Sequence, residues 1–178
     1  MKFLKVLGII IVVLAVIILV GGMFLPKTYT VSRSAVINAP DSVIYTNIAD
    51  YNEFLKWNPW YKMEPTAKTK ISGPVAQSGH LYEWEGKETG QGYMKTKSVE
   101  PNKMVDIELK FIKPFESLAD TRFDIAPEGA GNKVTWTMSG ENNLMGKWMG
   151  VFMSMDKMIG KDFEDGLKFL KEKSETGK

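Results

Sequence analysis

Three side chains are the plausible candidates for a catalytic acid or base in this sequence: His80, Tyr82 and Tyr93. A lone histidine can serve as a general base because it titrates near neutral pH. His80 follows the turn residues Ser78-Gly79, however, and that setting predicts a solvated strand start. Asp162, Glu164 and Asp165 fall within one helical turn or so of Lys161 and Lys168, which reads as a solvated, salt-bridged face rather than an acid/base pair. Arg33, Arg122, Asp120 and Asp124 are the remaining charges of interest, and the last three alternate outward against Thr121, Phe123 and Ile125. The chain has one histidine and no cysteine, so a transition-metal site, a thiol nucleophile and a disulfide framework are not expected. No Ser/His/Asp set, glycine-rich phosphate loop or H-E-x-x-H pattern occurs, so neither a cofactor nor a catalytic constellation is expected. With 23 basic and 21 acidic residues the net charge is +2, which gives no reason to expect a nucleic-acid partner.

What the sequence offers instead is apolar wall. Alternation predicts seven strands, at 27–38 and at about 66–72, 79–86, 91–99, 103–112, 116–126 and 132–139, broken by Gly73-Pro74, Gly86 to Gly90, Pro101-Asn102, Pro114 and Pro127-Glu128-Gly129. In Met104 to Ile112 the residues Val105, Ile107, Leu109 and Phe111 share one face, so one face of an antiparallel sheet is buried. Pro40-Asp41-Ser42 predicts a helix start, Tyr51 to Lys56 a second helical turn, and Pro59 the end of regular structure. Trp148, Phe152, Met155, Ile159, Phe163 and Leu170 recur at helical spacing, which predicts one long helix over about 143–173. A curved sheet gripping that helix leaves an inner space. The expected lining is Trp60, Tyr82, Trp84, Met94, Phe111, Phe123, Trp136, Met138, Trp148, Met149 and Phe152, with Gly146 and Gly150 near its mouth. The plainer alternative is that these side chains fill a solid core.

Residues 1–26 form a further unit. Phe3 to Leu25 is apolar apart from Lys5, long enough to cross a hydrocarbon core of roughly 30 Å, and Pro26 ends it. Lys2 and Lys5 precede the run and only Lys27 closely follows it, so the positive-inside rule predicts a single-pass protein with a cytoplasmic N-terminus and a periplasmic or extracellular domain. A cleaved signal peptide is the competing reading, weakened by an overlong apolar run without a good cleavage site. Residues 27–173 form the soluble domain, and 174–178 a tail expected to fray.

The order of elements and several local sequences resemble the START-like helix-grip superfamily (SRPBCC), in particular bacterial polyketide cyclase/dehydrase-like proteins. The pieces are Val36-Ile37-Asn38-Ala39-Pro40, Trp57-Asn58-Pro59-Trp60, Tyr82-Glu83-Trp84-Glu85-Gly86, Gly90-Gln91-Gly92 and Gly160-Lys161-Asp162-Phe163-Glu164-Asp165-Gly166-Leu167, spread over about 28–172. The resemblance implies an α+β fold of order β-α-α-β6-α with a ligand cavity between sheet and helix. The function expected is a membrane-anchored binding module for a hydrophobic or aromatic small molecule or lipid. A partner-facing structural or sensory domain and a cyclase/dehydrase-type enzyme are the alternatives, the latter resting on His80, Tyr82 or Tyr93.

Overall fold

The computed structural model describes residues 2–177. Met1, assigned to the anchor, and Lys178, assigned to the tail, lie outside the described residues. The chain begins with helix α1 (Lys2–Phe24), whose 23 residues give a length of roughly 34 Å at about 1.5 Å per residue. Its apolar side chains stay exposed, so it is not a core helix: it is a candidate membrane span or signal sequence.

Strand β1 (Thr28–Ile37) leads to three short helices, α2 (Asp41–Ala49), α3 (Tyr51–Trp57) and α4 (Pro59–Met63). Strands β2 (Lys68–Ser72), β3 (Leu81–Glu85), β4 (Gln91–Glu100), β5 (Met104–Lys113), β6 (Ser117–Glu128) and β7 (Gly131–Glu141) follow, then helices α5 (Leu144–Phe152) and α6 (Met155–Thr176). The seven strands form one antiparallel sheet in the order β1-β7-β6-β5-β4-β3-β2. Five hairpins build the run from β2 to β7, and β7 then closes against β1. Register shifts between Gln91 and Gly92 and between Thr96 and Ser98 interrupt the β4–β5 ladder. Such bulges bend strands, and here they curl the sheet around α6. The fold is the α+β helix grip that the resemblance implied.

One face of the sheet is buried across its central strands: Val105, Ile107 and Leu109 from β5, Thr121, Phe123 and Ile125 from β6, and Val134, Trp136 and Met138 from β7. Phe163, Leu167 and Leu170 of α6 press onto it, with Ile44, Ile48, Tyr51, Phe54 and Trp57 from the short helices. Trp136 lies flat on Phe163, 4.1 Å between ring centres, and on Phe123 at 4.8 Å. Gly166 makes this possible, because a Cβ there would sit 2.8 Å from the Trp136 ring.

Three expectations change. Pro59 does not end regular structure. It occupies the first turn of α4, where its missing N–H costs nothing, and the Asn58 side chain caps that turn by accepting from the N–H groups of Trp60 (2.9 Å) and Tyr61 (3.4 Å). The single helix expected over 143–173 is two helices. Met153 is extended, and Ser154 caps the start of α6 with Asp156 in its first turn, favourable chemistry at a helix N-terminus. The C-terminal residues do not all fray: α6 runs to Thr176, and buried Ser174 accepts a hydrogen bond from the Asn47 amide at 3.0 Å.

Candidate functional site

Between the sheet and α6 lies a cavity of about 190 Å³. Tyr82, Trp84 and Met94 from β3 and β4 and Phe111, Trp136 and Met138 from β5 and β7 supply the sheet side, and Trp60, Tyr61 and Ile159 close the helical side. Strand alternation aims each β-strand residue inward. Gly92 lets the Trp84 indole lie against β4, where any Cβ would overlap it. Trp84 Nε1 donates to the Thr89 carbonyl at 3.2 Å, which fixes the ring at the rim.

The rim is held by a buried carboxylate. Glu64, one residue past α4, accepts from the backbone N–H groups of Lys87 (2.7 Å), Glu88 (3.0 Å) and Thr89 (2.9 Å) and from the Thr89 hydroxyl (2.8 Å). Those donors, led by the Thr89 and Lys87 amides, hold its carboxyl at about 2, well below the ordinary glutamate range. Its four bonds fold the β3–β4 turn down onto α4.

Two polar atoms in the wall have no partner. Thr121 Oγ1 and Trp136 Nε1 are buried without a hydrogen bond among the described residues, and both side chains line the cavity. Each costs free energy while unpaired. Burial pushes the Tyr82 phenol far above its ordinary value of 10, so it stays protonated at neutral pH.

Seven of the residues expected to line the cavity do so: Trp60, Tyr82, Trp84, Met94, Phe111, Trp136 and Met138. Phe123 lies behind Trp136, fully buried, as core rather than lining. Trp148, Met149 and Phe152 are elsewhere, because the break at Met153 turns α5 away from the sheet and onto the end of α1. Gly146 and Gly150 go with them. Phe54, Asn58, Tyr61, Ala67, Thr89, Leu109, Thr121, Ile159 and Phe163 complete the lining. Thr121 was signalled by its alternation with Arg122. Tyr61 was hidden by reading Pro59 as a break.

The proton-transfer candidates are scattered. His80 is not solvated: it is fully buried and stacked on Tyr51, 4.6 Å between ring centres. Its Nε2 accepts from the Tyr51 N–H at 3.2 Å, and Nδ1 lies 3.1 Å from the Ser72 carbonyl, so a proton on Nδ1 satisfies both ring nitrogens. His80 is a structural pin between α3 and the end of β2. Tyr93 lies on the outer face, donating to Glu108 at 2.9 Å. Only Tyr82 reaches the cavity. Among the acidic residues of α6, Glu164 pairs with Arg33 and Asp165 with Lys161, while Asp162 is partly buried, and burial raises its carboxyl.

Residues 28–175 match the family described as polyketide cyclase / dehydrase and lipid transport. The chain belongs to this family. Solved structures share its fold. Protein CV1439 of Chromobacterium violaceum is 16% identical with a TM-score of 0.60, covering 82% of this chain and 96% of its own. The Aha1 dimer of Colwellia psychrerythraea is 20% identical with a TM-score of 0.59, covering 84% and 98%. Protein Ms6760 of Mycobacterium smegmatis is 14% identical with a TM-score of 0.57, covering 83% and 96%. At these identities the likeness is one of fold. No curated protein matches the chain.

Proposed function

We propose that this protein is a membrane-anchored binding module for a small hydrophobic or aromatic molecule carrying one polar group, held between the sheet and α6. The observation that carries the reading is the cavity itself: an apolar, aromatic wall with two unpartnered polar atoms, Thr121 Oγ1 and Trp136 Nε1. Its size narrows the ligand. About 190 Å³ exceeds the ~150 Å³ cavity that admits benzene and falls short of the roughly 300–1,000 Å³ of drug-sized sites. A one- or two-ring molecule, or part of an acyl chain, fits that volume better than a whole phospholipid. The family description, which includes lipid transport, agrees with an apolar cargo. The anchor is α1, with a cytoplasmic N-terminus and the domain on the outer face of the membrane, as the lysine distribution favours.

The alternative of a cyclase or dehydrase has less support, since the titratable side chains lining the cavity are two phenols, Tyr61 and Tyr82, with no histidine or carboxylate among the lining residues. The test is titration of the full chain, in detergent, with naphthalene and with 1-naphthol. The binding module prefers 1-naphthol, and Trp136→Phe, which removes the indole N–H, erases a preference of about fivefold, the value of one ordinary hydrogen bond. Saturable binding of neither compound would sink the proposal.

A further inference from the structure

We propose that α5 is a second membrane contact: it lies in the headgroup layer of the bilayer that α1 crosses, and it seats the open end of the cavity on lipid. This rests on reading α1 as a membrane span. Three observations on the structure carry it.

The first is where α5 packs. Trp148 lies over Gly21, where a Cβ would be 2.9 Å from the ring, and Leu144 lies over Gly22. Trp148 Nε1 donates to the Ile18 carbonyl at 3.1 Å. Ile18 is six residues before the end of α1, roughly 9 Å along its axis. A side chain bonded at that depth on a membrane span cannot stand clear of the bilayer, and tryptophan with its polar edge paired suits the interface. The single charge of α5, Lys147, has its Nζ 3.2 Å from the Gly22 carbonyl, held against α1.

The second is what α5 exposes. No residue of the helix is buried. Met145, Met149, Val151 and Phe152 face outward together with Met153, and Phe152 is 86% exposed. Contiguous apolar surface of this kind is rare on a face meant for water. Exposed apolar residues far from α1, such as Val43 and Val75, are scattered singly.

The third is what surrounds it. Phe115 (69% exposed) and Leu118 (51%) sit at the β5–β6 turn. The pairings Ala119 with Gly140 and Thr28 with Glu141 bring that turn to the same end of the sheet as α1 and α5. The charge at this end is mixed, with exposed Lys27, Lys113 and Lys157 beside exposed Glu116 and Glu141, so the apolar surface rather than net charge is what distinguishes it. Ile159 in the first turns of α6, Phe111 at the end of β5 and Thr89 in the β3–β4 turn place the cavity rim here too. The occupant of this surface is therefore the lipid bilayer, continuous with that around α1, and an apolar ligand can pass between bilayer and cavity without crossing water.

The absence of cysteine permits a direct test in the full chain. Phe152→Cys, Val13→Cys and Val75→Cys are each labelled with an environment-sensitive fluorophore. The proteins are then reconstituted in vesicles of phosphatidylcholine and phosphatidylglycerol. The proposal predicts that the label at 152 is quenched several-fold more by doxyl-lipid than the label at 75, and is shielded from aqueous iodide. A label at 152 open to iodide while that at 13 is quenched by lipid overturns the role of α5 and leaves the anchor standing. Failure of lipid quenching at 13 instead overturns the anchor, and the proposal with it. Shielding of 152 from both quenchers means that protein covers the helix, a second copy or another partner, and also overturns it.

Discussion

Glu64 joins α4 to the β3–β4 turn through bonds from three amides and a hydroxyl, and its carboxyl is held at about 2 against an ordinary value of 4.5. A folded-state value below the unfolded one adds stability that is fully present above about 4.5 and is lost as pH falls toward 2. Denaturant unfolding of the full chain should therefore show stability dropping across that acid window, and Glu64→Gln should flatten the drop; an unchanged pH profile would remove Glu64 from this role. Neither Glu64 nor His80 was legible in the sequence as a structural residue. Glu64 serves amides more than twenty residues away, and His80 bonds to Tyr51 across 29 residues, so no local pattern announces either. The inward residues of the sheet were legible because a period of two needs only neighbours.

At the scale of elements, the glycines of α6 are the sharpest constraint. A Cβ at Gly166 would meet the Trp136 ring at 2.8 Å and Pro59 at 3.3 Å, and that ring is pinned between Phe163 and Phe123. Gly166→Ala should cost about 1–3 kcal/mol by overpacking, despite alanine's better helix propensity. At Gly160 the obstacle is the far end of Arg33, a flexible side chain paired with Asp156 and Glu164, so Gly160→Ala should be tolerated much better. Chemical denaturation of the two variants checks this order, and equal losses would contradict it. All seven strands were readable from alternation and turn residues. The α5–α6 break was not, because the apolar stripe runs through Met153 and Ser154 without losing its spacing. The cap at Ser154, with Asp156 two residues on, was the available signal.

At the scale of the whole molecule, a family domain hangs from an apolar helix with Leu25, Pro26 and Lys27 as the only residues between α1 and β1. Such a short tether keeps the cavity rim near any bilayer that α1 crosses. If the domain faces outward, Val75→Cys, exposed at the end of the sheet far from α1, should react with a membrane-impermeant maleimide in intact spheroplasts; reaction only after lysis would reverse the orientation. The central claim is that the space between sheet and α6 binds an apolar molecule. Its most direct test uses the chain's 11 methionines as reporters. Met94 and Met138 line the cavity, whereas Met145, Met149 and Met153 lie outside it. In methyl NMR spectra of the full chain in nanodiscs, titration with 1-naphthol should shift Met94 and Met138 saturably and leave the outer methionines with at most a linear drift. Silence at Met94 and Met138, or the same unsaturable drift at every methionine, would contradict the account.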